Sequence, residues 1–343
     1  MKLLVTGGYG FIGSNFIRLV LAERPAWNVV NLDLLTYAGN RENLADVEPA
    51  ALKAGRYRHA LADVADGGAV EAVFREERPG AVVHLAAESH VDRSIEDPAP
   101  FVRTNVLGTG VLLAAARRHK VSRFVHVSTD EIYGPLALDE PRRFREEDPP
   151  RPTSPYAASK AAADLLAQAA FRTYDLPLVI TRCTNNYGPH QFPEKFLPLM
   201  ITCALDGERL PIYGDGLYVR DWIHVEDHAR GLLAVLERGR AGEIYNFAGG
   251  EERANIEIAR SILEHTGRDE SLLEFVRDRP AHDRRYALDD SRAKGELSWA
   301  PLRSFEQGLA DTIDWYRAHE PWWRRIISGD YLVERKSALP LKR

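Results

Sequence analysis

Hydrophobic positions in the first half of the chain follow two alternating patterns. Short, continuous runs rich in β-branched and aliphatic residues fall at Lys2–Thr6, Asn28–Asp33, 56–61, 81–86, 123–128 and Leu178–Cys183, and each predicts a strand buried on both faces. Longer segments between them predict helices over Phe11–Glu23, 69–77, 101–119 and 156–174. Strands and helices alternating at this spacing imply βαβ units. The expected fold class is therefore α/β, a Rossmann-type doubly wound parallel sheet covered by helices on both faces.

The rhythm breaks after Asn185. Proline and glycine become frequent (Gly188, Pro189, Pro193, Pro198, Pro211, Gly214, Gly216), and the later segments read as short mixed elements. The reading assigns 1–186 and 225–248 to a dinucleotide-binding domain. It assigns 187–224 and 250–320 to a smaller mixed α/β substrate-binding lobe, and 334–343 to a mobile tail. Residues 136–153, rich in proline and charge, form a long loop before a helix. The alanine-rich helices 101–119 and 156–174 can approach a neighbour closely, either the sheet or a second copy of the chain. A homodimer through these two helices is the expected assembly.

Chemistry enters first at Gly8-Tyr9-Gly10-Phe11-Ile12-Gly13, a G-x-G-x-x-G turn that follows a strand and opens a helix. Asp33 ends the next strand, 20 residues beyond Gly13. Its carboxylate can accept from a ribose 2′-hydroxyl and would repel a 2′-phosphate, so NAD is expected over NADP. Asp63 and the run Leu85–Ser89 follow further strands at the same carboxyl edge, where ligands bind in open α/β sheets.

Tyr156-Ala-Ala-Ser-Lys160 places a phenol and an ammonium at i and i+4, on one helix face. A cation there is expected to lower the tyrosine pKa and fit the phenol to take a hydroxyl proton. Ser128-Thr129-Asp130-Glu131 ends a strand on the cofactor side. Adjacent carboxyl groups are costly there unless they move protons. A turn or a helix cap is the plainer explanation for the same residues.

The stretches TGGYGFIGS, LDLLTYAGN, HLAAESHVDRSI, VSTDEIYG, SPYAASKAAAD, NNYGPHQFPEKFLP, VRDWIHVEDHARG and DRPAHDRRYALD together cover nearly the whole chain. In them the chain resembles the extended short-chain dehydrogenase/reductase superfamily, and most closely its dTDP-glucose 4,6-dehydratase family. The resemblance implies conversion of dTDP-glucose to dTDP-4-keto-6-deoxyglucose and water. In it Tyr156, with Lys160, takes the 4-hydroxyl proton while NAD accepts hydride from C4, and Thr129 bonds that oxygen. Glu131 removes the C5 proton, protonated Asp130 assists loss of the C6 hydroxyl, and hydride returns to C6. The resemblance further implies cofactor contacts at Gly7, Gly10, Phe11, Ile12, Gly13, Asp33, Asp63, Val64, Leu85, Ala87, Thr104, Tyr156, Lys160 and Asn186. Nucleotide-sugar contacts are implied at Ser89, Thr129, Asn185, Lys195, Phe196, Pro211, Tyr213, Arg220, Asn255, Arg279 and His282. Lys195, Arg220 and Arg279 are the expected clamps for a diphosphate. Where the family has glycine before the histidine of DRPGHD, this chain has Ala281.

Two rivals share the fold. A nucleotide-sugar 4-epimerase would have small or hydroxyl residues in place of Asp130 and Glu131, and a silent NAD-sensing binding protein would have lost the Tyr/Lys pair. A dehydratase acting on UDP- or CDP-glucose remains an open alternative.

Composition narrows the partners. Lys and Arg number 45 against 50 Asp and Glu, a net charge of −5 that argues against a nucleic-acid surface. Two cysteines cannot build a disulfide framework, so free thiols in a reducing compartment are expected. With no targeting segment visible and no stretch approaching the roughly 20 apolar residues of a membrane span, a cytoplasmic protein is expected. His224 and His228 stand at helical spacing without the H-E-x-x-H order, which points to a structural role and no metal. His84 and His126 lie within apolar strands, as core or near-cofactor residues. Trp322-Trp323 is expected to pack the last helix onto the body.

Overall fold

The structure, a computed structural model, describes residues 1–278, 280 and 282–331. Arg279, Ala281 and the tail 334–343 therefore lie outside the described residues. The twelve strands are β1 (Lys2–Thr6), β2 (Asn28–Asp33), β3 (Tyr57–Leu61), β4 (Ala81–His84), β5 (Arg123–Thr129), β6 (Leu178–Cys183), β7 (Asn185–Tyr187), β8 (Leu210–Tyr213), β9 (Val219–His224), β10 (Ile244–Phe247), β11 (Glu252–Ala254) and β12 (Leu273–Val276). The first helices are α1 (Phe11–Glu23), α2 (Glu48–Lys53), α3 (Gly67–Glu77), α4 (Val91–Glu96), α5 (Ala99–Phe101), α6 (Thr109–Arg118) and α7 (Pro155–Tyr174). They are followed by α8 (Phe196–Asp206), α9 (Val225–Arg238), α10 (Asn255–Thr266), α11 (Ser291–Leu297), α12 (Phe305–Ala318) and α13 (Glu320–Ser328).

Seven strands pair in the order β10-β6-β5-β4-β1-β2-β3, all parallel. This is the Rossmann-type α/β fold. The runs at β1, β4 and β6 are buried along their length because helices cover both faces of the sheet. On one face Phe16, Val20, Leu232 and Val235 pack against Leu3, Val5, Val125 and Val179. On the other, Phe74, Leu112, Ala167 and Ala170 pack against Leu4, Val82, Phe124 and Ile180. Strand order reverses between β1 and β4, and a crevice opens there at the carboxyl ends.

The second lobe has its own core. Leu197, Ile201, Ile258, Ile262, Ile313 and Tyr316 meet there, flanked by a three-stranded β11-β9-β7 sheet and the parallel pair β12-β8. Trp322 and Trp323 are buried in it. Trp322 Nε1 reaches back to donate to Asn43 Oδ1 at 3.0 Å, and Asn43 Nδ2 donates to the Tyr9 carbonyl at 2.9 Å. The last helix thus packs onto the body, as its tryptophans imply. Residues 291–299 differ from their sequence assignment to this lobe. Ala293, Leu297 and Trp299 join the core under the large sheet, where Trp299 meets Phe247 edge-on with ring centroids 4.6 Å apart.

One continuous helical segment, Ala99–Arg118, contains a π-helical stretch, Val102–Gly108, that no sequence pattern announced. It also corrects the expectation that no stretch approaches a membrane span. By length and composition it is apolar enough to cross one. Its inner face packs on the sheet, and Leu112, Ala115 and Ala116 are buried there. It is a core helix of the doubly wound layer.

Phe247 ties β10 to α9 and Trp299, since a methyl group on Gly231 would strike its ring at 2.6 Å. Phe247→Ala is expected to cost about 3–5 kcal/mol of stability. Urea denaturation measures it, and a loss under about 1 kcal/mol would contradict this packing.

Candidate active site

The crevice at the strand reversal is a cavity of about 340 Å³, within the range of small-ligand sites. The glycine turn forms one wall, and its residues are required for different reasons. Gly7 has φ +72°, and a Cβ there would lie 2.7 Å from the Ala86 nitrogen. A Cβ on Gly13 would lie 2.2 Å from the Gly7 carbonyl oxygen, so this glycine seats the helix against the strand. A Cβ on Gly10 would meet only the Gly7 oxygen, at 3.2 Å, and otherwise project into open space. Gly10 is also the N-cap of α1 and offers no side-chain cap, so the positive end of that helix faces the cavity.

Asp33 stands at the tip of β2, 7% exposed, and accepts from Tyr9 N at 2.9 Å and Leu35 N at 2.7 Å. Those bonds lock the carboxylate while leaving acceptor capacity for hydroxyls. Asp63 accepts from Arg103 at 2.6 Å on the same edge. All fourteen residues expected at the cofactor line this one cavity, Val64, Leu85, Ala87, Thr104 and Asn186 among them. The cradle open at Gly10, the uncapped helix end and the anchored acid fit a dinucleotide.

The opposite wall carries the five residues expected to be catalytic. Ser154 caps α7 by accepting from Ala157 N, Pro155 occupies the first turn, and Tyr156 is thereby fixed just inside the helix. Thr129 ends β5 and accepts from Glu131 N at 3.3 Å, so Asp130 and Glu131 do begin a capped 3₁₀ turn, Asp130–Tyr133. Capping and chemistry coincide here. The Thr129 hydroxyl also donates to Asp130 Oδ1 at 3.2 Å and lies within hydrogen-bonding reach of Tyr156. Burial, and then the neighbouring Glu131, push the Asp130 carboxyl well above the usual range, with Arg220 opposing. Among the described residues its Oδ2 is buried with no hydrogen-bond partner.

The Tyr/Lys geometry departs from the expected one. Lys160 Nζ donates to the Val127 carbonyl at 2.7 Å. Burial, with Glu131 and Cys183, raises the Tyr156 phenol well above its ordinary value, and Thr129 alone among its main neighbours opposes the rise. Helical spacing places Lys160 on the right face, but burial and the neighbouring carboxyl groups set the direction of the shift.

The residues expected at the sugar nucleotide separate into two groups. Ser89, Thr129, Asn185 and Lys195 line the cavity, and Lys195 Nζ donates to the Ser89 carbonyl at 2.9 Å. Phe196, Pro211, Tyr213, Arg220, Asn255 and His282 lie off that wall, and Arg279 lies outside the described residues. Phe196 begins α8, Pro211 and Tyr213 are on β8, and Asn255 begins α10 with a buried, unpartnered Oδ1 among the described residues. His282 stacks on Tyr218 at 3.6 Å and meets Tyr213 edge-on at 6.0 Å. Arg220 is buried over the Tyr286 ring at 4.6 Å, within electrostatic reach of Asp130. The fold brings Arg220 toward the acid pair without making it part of the wall.

Asn105 and the placement of Cys183 escaped the sequence reading, whereas His84 and His228 stand as it expected. Asn105, carried by the π-helical stretch, accepts from Glu88 N at 2.9 Å and donates to Ser159 Oγ at 2.8 Å. It ties the loop after β4 to α7, through partners 17 and 54 residues away that no local motif records. Cys183, buried beside Tyr156, has its thiol pushed up to about 12 by burial. His84 bridges Thr6 Oγ1 at 2.7 Å and Thr109 Oγ1 at 3.0 Å, and is a satisfied core histidine. His228 pairs with Asn186 Oδ1 at 2.8 Å and is fully buried, a structural role.

A glycine turn, an acid at the tip of β2 and a Tyr-Lys helix on a seven-stranded parallel sheet define a Rossmann-type site of the short-chain dehydrogenase/reductase kind. The comparisons narrow this. The family described as GDP-mannose 4,6 dehydratase matches residues 4–312. A dTDP-glucose 4,6-dehydratase of Neisseria meningitidis is 48% identical, covering 97% of this chain and 98% of its own. One from Streptomyces griseus is 50% identical over 96% and 98%. A dTDP-glucose 4,6-dehydratase from Streptomyces venezuelae, solved with NAD and TYD bound, superposes with a TM-score of 0.90 at 50% identity, covering 95% of this chain and all of that one. A UDP-glucose 4-epimerase from Thermus thermophilus, solved with NAD, reaches a TM-score of 0.84 at 34% identity over 93% of this chain and 100% of its own. The chain belongs to this nucleotide-sugar dehydratase family of the extended short-chain dehydrogenase/reductases.

The glycine geometry separates two substitutions. Gly10→Ala should leave the melting temperature near wild type while weakening NAD binding at least about 10-fold. Gly13→Ala should itself lower the melting temperature, through its contact with Gly7. Calorimetric titration with NAD and thermal scans measure both, and equal melting losses would overturn the distinction.

Proposed function

We propose that the chain is a dTDP-glucose 4,6-dehydratase, converting dTDP-glucose to dTDP-4-keto-6-deoxyglucose and water. One observation carries the reading: Asp130, a buried carboxyl whose Oδ2 has no partner among the described residues, stands next to Glu131 in the cleft that Tyr156 also lines, and burial raises its pKa. NAD, when bound, supplies a two-electron acceptor that takes hydride from the sugar C4 and returns it at C6.

The chain's own residues move the protons. Thr129 holds the sugar O4 and Tyr156 receives its proton, with Lys160 stabilising the phenolate once it forms. The new 4-ketone acidifies C5–H, and Glu131 takes that proton. Asp130 gives its proton to the C6 hydroxyl, which departs as water. An epimerase needs no such acid, so a protonated Asp130 favours elimination. The two steps then respond oppositely to pH. Proton removal by Tyr156 gains as pH rises toward the raised phenol pKa, whereas elimination loses as pH rises through the raised Asp130 pKa. Lys195, Arg220 and Arg279 supply the positive charge for the diphosphate.

The relatives named for dTDP-glucose support that nucleotide. Apolar Val102, Leu107, Leu165 and Leu166 are exposed on 99–118 and α7, in support of a homodimer through these helices. Two free cysteines support a cytoplasmic setting.

Incubation with dTDP-, UDP- and CDP-glucose, read by the alkali-induced absorbance of a 4-keto-6-deoxy sugar, tests the substrate. Only dTDP-glucose should respond strongly. Asp130→Asn should still oxidise C4 while slowing elimination ~100-fold or more. Elimination at the wild-type rate in that variant would remove Asp130 from its role.

A further inference from the structure

Beneath the acid turn, on the sheet face that α7 covers, lies a charged cluster that none of these roles uses. Asp164 and His126 are fully buried and Arg182 is 2% exposed. Arg182 Nε donates to Asp164 Oδ2 at 3.0 Å. Its Nη1 donates to the Tyr133 hydroxyl at 2.6 Å and to the Glu146 carbonyl at 3.2 Å. His126 Nε2 lies 3.3 Å from Asp164 Oδ1, and burial holds that imidazole below its ordinary pKa, so it adds no charge. Asp164 is also one turn beyond Lys160 on the same helix face.

One carboxylate therefore faces two buried cations. Buried ions persist only where they are compensated: Asp164 is ion-paired with Arg182 at 3.0 Å and stands one turn along the helix from Lys160, whose Nζ is held by the Val127 carbonyl. On one side it opposes the burial that would strip Lys160 of its proton. On the other it anchors Arg182, whose guanidinium stacks 4.8 Å from the Tyr133 ring and bonds its hydroxyl. Tyr133 is the last residue of the turn that carries Asp130 and Glu131. The two halves of the chemistry, otherwise on separate elements, share this one anion.

We propose that Asp164 is a positioning residue for the reaction, keeping Lys160 charged below Tyr156 and, through Arg182 and Tyr133, setting the turn that aims Asp130 and Glu131 at the sugar. This rests on the dehydratase function proposed above. The titratable groups around Lys160 are Asp164 and Tyr156 on its own helix, His84 on β4, His126 on β5 and Cys183 on β6. Of these, Asp164 is the fixed anion.

The test uses purified holoenzyme in single turnovers with dTDP-glucose. Near-ultraviolet absorbance of the reduced cofactor follows C4 oxidation, and solvent deuterium entering C5 follows elimination. Asp164→Asn keeps the shape and removes the charge. Its alkaline limit for C4 oxidation should move down by roughly 1–3 pH units, because Lys160 then loses its proton earlier. KM for dTDP-glucose should stay unchanged. Tyr133→Phe spares Asp164 and Lys160 and removes the turn's hydroxyl bonds to Arg182 and Asn246. It should slow elimination about 10-fold with C4 oxidation at the wild-type rate. A wild-type pH profile in Asp164→Asn, whatever its melting temperature, overturns the proposal. If that variant does not fold, Tyr133→Phe decides, and both steps unchanged or equally slowed overturn it. A wild-type enzyme silent on dTDP-, UDP- and CDP-glucose overturns the function itself, and this proposal with it.

Discussion

Desolvation at the carboxyl edge of the parallel sheet raises the Asp130 carboxyl and the Tyr156 phenol together. A carboxyl and a phenol taken out of water both hold their protons, since burial penalises the charged form of each. Asp130 and Tyr156 are buried together, with Glu131 between them in electrostatic reach of both. The arrangement needs the doubly wound layer on both faces. Without helices above and below, the strand tips would be wet, and Asp130 would be an ordinary ionised aspartate with no proton to give.

The same burial explains why cations are rationed. Lys160 and Arg182 are each spent on a specific partner, Lys160 on the Val127 carbonyl and Arg182 on Asp164 and Tyr133. Arg220 sits against backbone carbonyls and an aromatic ring.

What could be read from the sequence was whatever repeats locally. Strands such as Lys2–Thr6 and Leu178–Cys183 announce themselves by uninterrupted apolar runs, and the structure has them with those bounds. The glycine turn and Asp33 were legible because turn, helix start and strand end are consecutive in the chain. The electrostatic sense of Tyr156 was not, since burial, and then Glu131 and Cys183 reaching it across the fold, raise the phenol. The π-helical stretch around Asn105 and the placement of 291–299 under the large sheet depend likewise on tertiary partners, which leave no periodic trace.

The tie between Trp322 and Asn43 has a consequence for biosynthesis. Asn43 also holds the Tyr9 carbonyl within the glycine turn, and Tyr331 bonds the Tyr37 carbonyl nearby. A nascent polypeptide leaves the ribosome N-terminus first, so the corner around Tyr9 and Tyr37 waits for the much later Trp322 and Tyr331 before it is complete. Termination before Trp322 would therefore loosen the glycine turn as well as remove the last helix.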